Sequence, residues 1–257
     1  VTRNDGGAWT KVNARIPGFP AESWVGKIDA SNHVNGRAYI TVDQHRLNDF
    51  KPHVFRCDDY GQRCENLSAG LPQDDYVVVV REDPKKRGML YVGTERGVIF
   101  SRDDGASWEP LKLNLPTVAV SDLRVHGDDL VVGTMGRAIW ILDNLTALRQ
   151  WKAETKNADA HLFPIAPATR WRYSGNFHDY GVKGQNPPPA AMIEYFLKAK
   201  SEKDFTVEIL DAKGSVIRTL KSVPEPMPWP VEDPDSWIDE PTEADLKNEA
   251  GVQRAYW

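Results

Sequence analysis

The sequence lacks the features that mark several large classes of protein. It contains no apolar run of about eighteen residues, so no segment is expected to span a membrane. Only two cysteines are present and the six histidines are scattered, so no zinc-binding spacing occurs. We therefore expect no metal and no cofactor. The net charge of −5 argues against nucleic-acid binding, and no signal peptide is visible.

What the sequence does contain favours a packed β-protein. Hydrophobic residues make up 40% of the 257 residues and aromatic residues 10%, including nine tryptophans. Aromatic side chains suit pleated sheets and are scarce in disordered chains. The length allows one large β-domain or two smaller ones.

A short turn motif recurs along the chain. Residues 101–108 read S-x-D-x-G-x-x-W, residues 2–9 read T-x-N-x-G-x-x-W, and residues 57–64 keep the Asp and the Gly at the same offsets. In such a turn the Asp or Asn accepts backbone N–H bonds, and the Gly supplies a positive φ. The aromatic residue begins the return strand and packs on the hairpin. We expect structural roles in these turns for Thr2, Asn4, Gly6, Trp9, Asp59, Gly61, Ser101, Asp103, Gly105 and Trp108.

The two cysteines occupy the flanking positions of the middle turn. Cys57 stands where the other turns have Ser or Thr, and Cys64 stands where they have Trp. These positions face each other on adjacent strands, which favours a disulfide and an oxidising compartment. The alternative is a pair of reduced cysteines in a hydrophobic niche.

A second repeat predicts propeller blades. The stretch Val92-Gly93-Thr94 followed by Ile99-Phe100 recurs forty residues later, as Val132-Gly133-Thr134 followed by Ile139-Trp140. A period of about 40–50 residues with four short strands per unit is typical of a β-propeller. We predict that residues 1–149 form about three and a half blades, with the rest of the propeller on an upstream segment or another chain. The predicted strands lie near Val25–Ala30, Ala38–Val42, Val54–Cys57, Cys64–Leu67, Tyr76–Arg81, Met89–Gly93, Val98–Ser101, Trp108–Leu111, Val120–His126, Leu130–Gly133 and Ala138–Leu142.

The remaining residues predict a second, smaller β-domain. Residues 143–149 resemble a short helical exit, and residues 150–190 are punctuated by proline and predict a linker. Residues 191–257 predict an incomplete immunoglobulin-like sandwich, with an acidic, proline-rich insert over 223–246 that contains Trp229 and Trp237. The predicted strands are Ala191–Lys198, Phe205–Leu210, Val216–Leu220 and one that begins at Gly251.

Three segments resemble a known family. Residues 39–52, 80–95 and 129–143 are similar to segments of large bacterial Asp-box propeller proteins, which are labelled sortilin-like or glycosyl-hydrolase-like with sialidase-type (BNR) repeats. The sequence departs from that family at Cys57, Cys64 and Met135, where Ser or Thr, Trp and His are usual. The resemblance implies a propeller, export, and a C-terminal sandwich like that of flagellar hook-capping proteins. It implies no activity, because fold does not fix function.

The insertion between two strands of the second blade is the main candidate for a binding loop. It carries a histidine, two cations, a carboxylate and an aromatic residue, and long loops on rigid scaffolds often bind ligands. The alternative is a loop that packs on the neighbouring blade with Phe50 as its anchor. The binding candidates are His45, Arg46, Asp49, Phe50 and Lys51.

Enzymatic activity is the competing hypothesis. A glycosidase needs two facing carboxylates, and a spacing along the chain does not say which residues of different blades meet. The carboxylates considered are Asp43, Asp49, Glu82, Asp83 and Glu95.

We expect from the sequence a non-catalytic, exported binding scaffold that recognises a protein or a glycan. A glycoside hydrolase with paired carboxylates in the central groove is one alternative, and a structural subunit of a cell-surface assembly is another. The expected location is secreted, periplasmic or cell-surface. The expected partners are the remaining blades and a protein or carbohydrate ligand.

Overall fold

In the computed structural model, the chain forms two compact units, Val1–Leu145 and Thr146–Trp257. The sequence placed this boundary at residue 149. The structure describes residues 1–169, 188, 190–223 and 245–257. The loop expected before residue 190 and the acidic insert with Trp229 and Trp237 lie largely outside these ranges. Within the described ranges, no helix has the length and apolar character needed to cross a membrane.

The first unit, which is described throughout, contains three antiparallel sheets whose strands follow chain order. Short 3₁₀ helices lie at Asn13–Arg15, His45–Leu47 and Asp59–Gly61. The first sheet consists of β1 (Trp24–Ala30), β2 (Ala38–Asp43), β3 (Val54–Asp58) and β4 (Arg63–Asn66). The second consists of β5 (Val77–Glu82), β6 (Leu90–Thr94), β7 (Val98–Ser101) and β8 (Glu109–Pro110), and the third of β9 (Val120–His126), β10 (Asp129–Thr134) and β11 (Ile139–Leu142).

The first strand of every sheet contains the same irregularity. The pairing with the second strand skips one residue, which is Gly26 in β1, Val78 in β5 and Ser121 in β9. A β-bulge at one fixed position in successive sheets shows that the three sheets are repeats of one unit. The bulge also aligns the sheets residue by residue, so Trp24, Tyr76 and Ala119 are equivalent.

The sheets pack against each other in chain order. Both β1 and β2 contact β5, and β5 and β6 contact β9. Because β5 is covered on both sides, its sequence is a continuous run of valines rather than an alternation. The core between the first two sheets consists of Tyr39, Val54, Leu67, Leu71, Val77, Val80, Leu90, Val92 and Ile99. The first strands therefore converge, and the predicted class, an all-β partial propeller, is confirmed.

The second unit contains two small sheets. Strands β12 (Ala160–Leu162), β13 (Met192–Leu197) and β16 (Gly251–Tyr256) form one, and β14 (Thr206–Leu210) and β15 (Val216–Lys221) form the other. They share a core that includes Ile193, Leu220 and Ala255, as expected for a sandwich-like segment. Helices α1 (Thr146–Gln150) and α2 (Ala153–Asn157) precede them.

The predicted linker over 150–190 needs correction in its first part. Helix α2 and strand β12 both lie within it, and β12 pairs with β13 in register, with His161 opposite Phe196. The short apolar segment before Pro164 folds because Phe163 is buried in a cluster with Trp151 and Phe196.

Candidate functional site

Two of the recurring turns have the same internal hydrogen bonds. In residues 101–108, Ser101 Oγ accepts from the Gly105 amide at 2.9 Å, and Asp103 accepts from the Ser107 amide at 2.8 Å. In residues 2–9, Thr2 Oγ1 accepts from Gly6 at 2.9 Å, and Asn4 accepts from Ala8 at 2.8 Å. These polar side chains thus satisfy the amides of their own tight turn, as the sequence predicts for them.

The middle turn is held differently. Cys57 and Cys64 lie directly opposite each other on β3 and β4 and form a disulfide. The disulfide joins the two positions that Ser101 and Trp108 occupy in the turn over residues 101–108. Within the described chain, the Asp59 carboxylate makes no bond to its own turn and instead lies 3.7 Å from Arg3. Gly61 keeps its positive φ of 82°.

Two of the three turns pack on a preceding part of the chain. A Cβ atom on Gly105 would lie 2.9 Å from a Leu67 methyl group, and one on Gly61 would lie 2.9 Å from Val12. Trp108 also donates its indole N–H to the Leu67 carbonyl at 2.9 Å. Trp9, the equivalent residue of the first turn, is 74% exposed. The turns over residues 57–64 and 101–108 therefore serve as contacts between blades.

A polar clamp joins the first two sheets. Asp104, in the turn after β7, accepts hydrogen bonds from Arg37 at 2.8 Å, Arg56 at 2.7 Å and the Tyr39 hydroxyl at 2.7 Å. The same hydroxyl oxygen lies 3.2 Å from a Glu82 carboxylate oxygen. Burial, followed by the bonds and charges of these carboxylates, raises the pKa of Tyr39 far above its usual value. The clamp is consequently a structural network.

The converging first strands carry an ion-pair network. Arg81 of β5 contacts Asp29 of β1 at 3.4 Å and Asp122 of β9 at 2.9 Å. Lys27 of β1 reaches across to the same Asp122 at 3.1 Å. Side chains of three successive blades thus meet where the first strands come together.

The two carboxylates of this network have opposite pKa shifts. Burial raises the pKa of Asp29, and the bond from the Glu82 amide and the Arg81 charge offset this only partly. Burial also acts to raise the pKa of Asp122, but the bonds from Lys27 and the Leu123 amide, together with the Arg81 charge, lower it overall. Divergent shifts in neighbouring carboxylates occur at catalytic sites and in structural networks alike.

The predicted binding loop folds back onto the next blade. The Nδ1 of His45 lies 2.5 Å from Asp43, and the His45 ring stacks on Tyr76, with 4.6 Å between ring centroids. Phe50 lies 6.3 Å from the same ring. The contact of Phe50 with the neighbouring blade matches the packing alternative, and His45 is a second anchor.

The rest of the loop is braced internally or exposed. Asp49 accepts from the Lys51 amide and from His53, each at 3.0 Å. Burial alone would raise the pKa of Asp49, but these two bonds lower it. The Arg46 guanidinium lies 5.8 Å from the centre of the Trp24 ring, and Trp24 is 55% exposed. An exposed aromatic face and a cation thus remain at the surface.

Aligning the blades shows that an aromatic residue and an acidic residue face each other in both of the first two sheets. They lie at the start of the first strand and at the end of the second strand, at an edge that we call the rim. Trp24 pairs with Asp43 in register, and the Glu95 amide donates to the Tyr76 carbonyl at 3.3 Å. The third sheet has Ala119 and Met135 at these positions, joined by the same bond at 2.8 Å. Burial, then the charges of Glu95, Asp43 and Asp75, raises the pKa of Tyr76. We call Trp24, Asp43, His45, Phe50, Tyr76 and Glu95 the rim site.

Two of the carboxylates considered for catalysis, Glu82 and Asp83, have structural roles. Glu82 is buried and accepts from Ser31 at 2.5 Å and from the Gly88 amide at 3.1 Å. Asp83 is fully buried and accepts from the Tyr91 hydroxyl at 3.0 Å and from two amides of the following turn. Neither side chain is exposed to a substrate.

Sequence reasoning missed Trp24, Tyr76, Asp29 and Asp122 as site residues. Each lies on or beside a first strand, and their grouping depends on the bulge register and on the order in which blades pack. Aligning the three first strands on the residues that precede Val25, Val77 and Val120 would have exposed the repeated rim positions.

Comparison with known proteins gives a structural similarity only. No family model and no curated protein matches the chain. Among solved structures, the chain is similar to the GH74 xyloglucanase from Xanthomonas campestris, with a TM-score of 0.40 and 16% sequence identity. The match covers 51% of this chain and 22% of that protein, so the chain spans about a fifth of its length.

Proposed function

We propose that this chain is part of a non-catalytic, exported binding scaffold of the Asp-box propeller type. The observation that carries the proposal is the state of the acidic residues on the converging first strands. Asp29 and Asp122 are both held by Arg81, and Asp122 is held by Lys27 as well. Carboxylates fixed by ion pairs stabilise an interface between blades and are poorly placed for general acid or base catalysis.

The Asp-box assignment rests on the matching bonds of residues 2–9 and 101–108. Export is supported by the disulfide, because such bonds persist in oxidising compartments and are rare in the cytosol. We assign the protein on this basis to the periplasm, the cell surface or the medium.

We further propose that another blade packs on the free face of the first sheet. Val25 and Ile28 of β1 are exposed there, beside an apolar groove of about 440 Å³. The equivalents of these residues in β5, Val77 and Val80, are fully buried by neighbouring sheets. A blade supplied by the same polypeptide or by another chain would cover Val25 and Ile28 in the same way and would shield Trp9.

The rim site is the proposed binding surface. It combines exposed aromatic faces with carboxylates, an arrangement that suits the apolar faces and hydroxyl groups of a glycan or the side chains of a peptide. A glycan array and a peptide array, probed with the whole chain, would identify the ligand. We expect Trp24→Ala to weaken binding of the selected ligand about tenfold, and Trp9→Ala, which removes an exposed tryptophan of another element, to leave it unchanged. Equal binding by both variants would show that the rim site is not the binding surface.

A glycoside hydrolase is the second candidate, and the divergent pKa shifts of Asp29 and Asp122 favour it. In that mechanism Asp29 is the general acid and Asp122 the nucleophile or base. Incubation with xyloglucan and β-glucan oligosaccharides separates the two functions. Hydrolysis that is abolished by Asp29→Asn and by Asp122→Asn, and retained by Asp5→Asn in an exposed turn, would overturn the scaffold proposal.

A further inference from the structure

A small cavity in the second sheet contains a buried carboxylate that its surroundings do not fully satisfy. The cavity has a volume of about 280 Å³ and lies among the start of β5, the turn between β6 and β7, and residues 110–117. Asp75 lines it and is only 4% exposed. Within the described chain, one oxygen of this carboxylate, Oδ1, has no hydrogen-bond partner.

The blade repeat does not require a carboxylate at this position. The residue before Trp24 in the first sheet is Ser23, whose hydroxyl donates to the Pro20 carbonyl at 2.8 Å. The residue before Ala119 in the third sheet is Val118, which is buried. An uncharged residue therefore serves the fold in both neighbouring blades. Burying an unpaired carboxylate instead is destabilising, so its presence needs another reason.

The cavity walls define the shape of a ligand. Besides Asp75 and Thr94, the lining is largely aliphatic, with contributions from Val98, Leu111 and Leu115. Burial raises the pKa of Asp75, while the Thr94 hydroxyl, the charge of Arg96 and the Arg96 amide act against this rise. The Thr94 hydroxyl donates to the Gly97 carbonyl at 3.3 Å and accepts from the Arg96 amide at 3.1 Å, so neither group satisfies Oδ1 of Asp75.

Two cations line the cavity, and among the described residues neither forms an ion pair with Asp75. Arg96 lies at the cavity, but its guanidinium pairs with the exposed Asp74 at 2.9 Å. Glu95 adds negative charge near Asp75, and the exposed Lys112 also lines the cavity. The buried acid therefore has no close ion pair of its own among the described residues.

We propose that this cavity binds an alkyl cation, either the ammonium or guanidinium end of a lysine or arginine side chain or a free amine. The aliphatic walls would cover the methylene stem, and Oδ1 of Asp75 would accept from the cationic head. This site is separate from the rim site and does not depend on the proposed function.

NMR titration of the whole chain with n-butylammonium tests the proposal, with n-butanol as the uncharged control. We expect amide shifts at Thr94, Arg96 and Thr117 with the ammonium and none with the alcohol. Asp75→Asn should weaken binding about tenfold or more, because the charge-assisted bond is lost. Asp74→Asn, which removes the neighbouring exposed carboxylate, should change it less than about twofold.

Two further arms complete the experiment. Leu115→Trp, which fills the cavity and keeps the carboxylate, should also abolish the shifts, so the proposal remains testable if Asp75→Asn does not fold. Capped Gly-Lys-Gly compared with its norleucine analogue distinguishes a side chain within a peptide from a free amine. Absence of shifts with both the amine and the peptide, or equal binding by Asp75→Asn, would overturn the proposal and leave a cavity that holds only water.

Discussion

Gly93 offers a direct test of how the blades pack. It lies in β6, against the first strand of the next sheet. A Cβ atom on Gly93 would stand 2.5 Å from a Val120 methyl group and 2.8 Å from a Val79 methyl group. Both distances are far shorter than van der Waals contact, and both neighbours are fully buried valines. Gly93→Ala must therefore push β6 away from β9.

The expected magnitude follows from two opposing effects. Overpacking a tight core costs about 1–3 kcal/mol. Gly93 does not have a positive φ, so alanine adds no backbone strain. Alanine also lowers the conformational entropy of the unfolded chain, which offsets about 0.4–1 kcal/mol of the packing cost. We expect a net loss of about 1–2 kcal/mol in the free energy of unfolding, which lowers the Tm of the first unit by about 3–8 °C.

Gly133 provides the matched control. It is the equivalent glycine of the third sheet, in the same Val-Gly-Thr sequence, and a Cβ there would lie 3.1 Å from the Ser121 hydroxyl, which is able to rotate. Thermal unfolding followed by near-ultraviolet circular dichroism should show the loss for Gly93→Ala and a much smaller change for Gly133→Ala. Equal midpoints for the two variants would refute the packing of β6 on β9.

Three other outcomes are expected. Reducing the disulfide should lower the free energy of unfolding by about 2 kcal/mol, measured by urea denaturation with and without reductant. Asp104→Ala should cost about 1–2 kcal/mol in the same assay, because it removes the acceptor that Arg37, Arg56 and Tyr39 share while both arginines keep Asp58, whereas Asp5→Ala at the equivalent exposed turn position should cost little. Burial raises the pKa of Asp75, so the folded chain binds more protons than the unfolded chain and loses stability as the pH rises through that pKa. Asp75→Asn should thus gain stability relative to the native chain between about pH 4 and neutrality.

The strands were predictable because their signals are local. Valine-rich runs and glycine turns placed β7 and β9 at their observed bounds, Val98–Ser101 and Val120–His126. The disulfide was also predicted correctly, because the turn repeat put both cysteines at positions that face each other. Each of these signals depends on fewer than about ten consecutive residues.

Strand β12 and the ion pairs between blades could not be predicted from the local sequence pattern. Strand β12 exists because it pairs with β13, which begins thirty residues further on at Met192, and three residues carry too little alternation to predict it. The contacts of Arg81 with Asp29 and Asp122 join residues 52 and 41 positions apart. Such groupings depend on which blades are neighbours and on the bulge that sets the register of each first strand.

Comparing equivalent positions of the blades distinguishes residues that build the fold from residues that serve another purpose. Gly105 and Gly61 recur because each turn needs a positive φ and a close approach to the preceding chain. Tyr76 and Asp75 stand next to each other, yet the third sheet has Ala119 and Val118 at their positions and still forms the same bulge and the same hydrogen bonds. The Tyr76 ring packs against His45 and Phe50 of the insertion in the first sheet, whereas within the described chain Oδ1 of Asp75 has no hydrogen-bond partner. Packing thus accounts for the aromatic ring but not for the carboxylate, and this difference between neighbouring positions is why the proposed cation site is centred on Asp75.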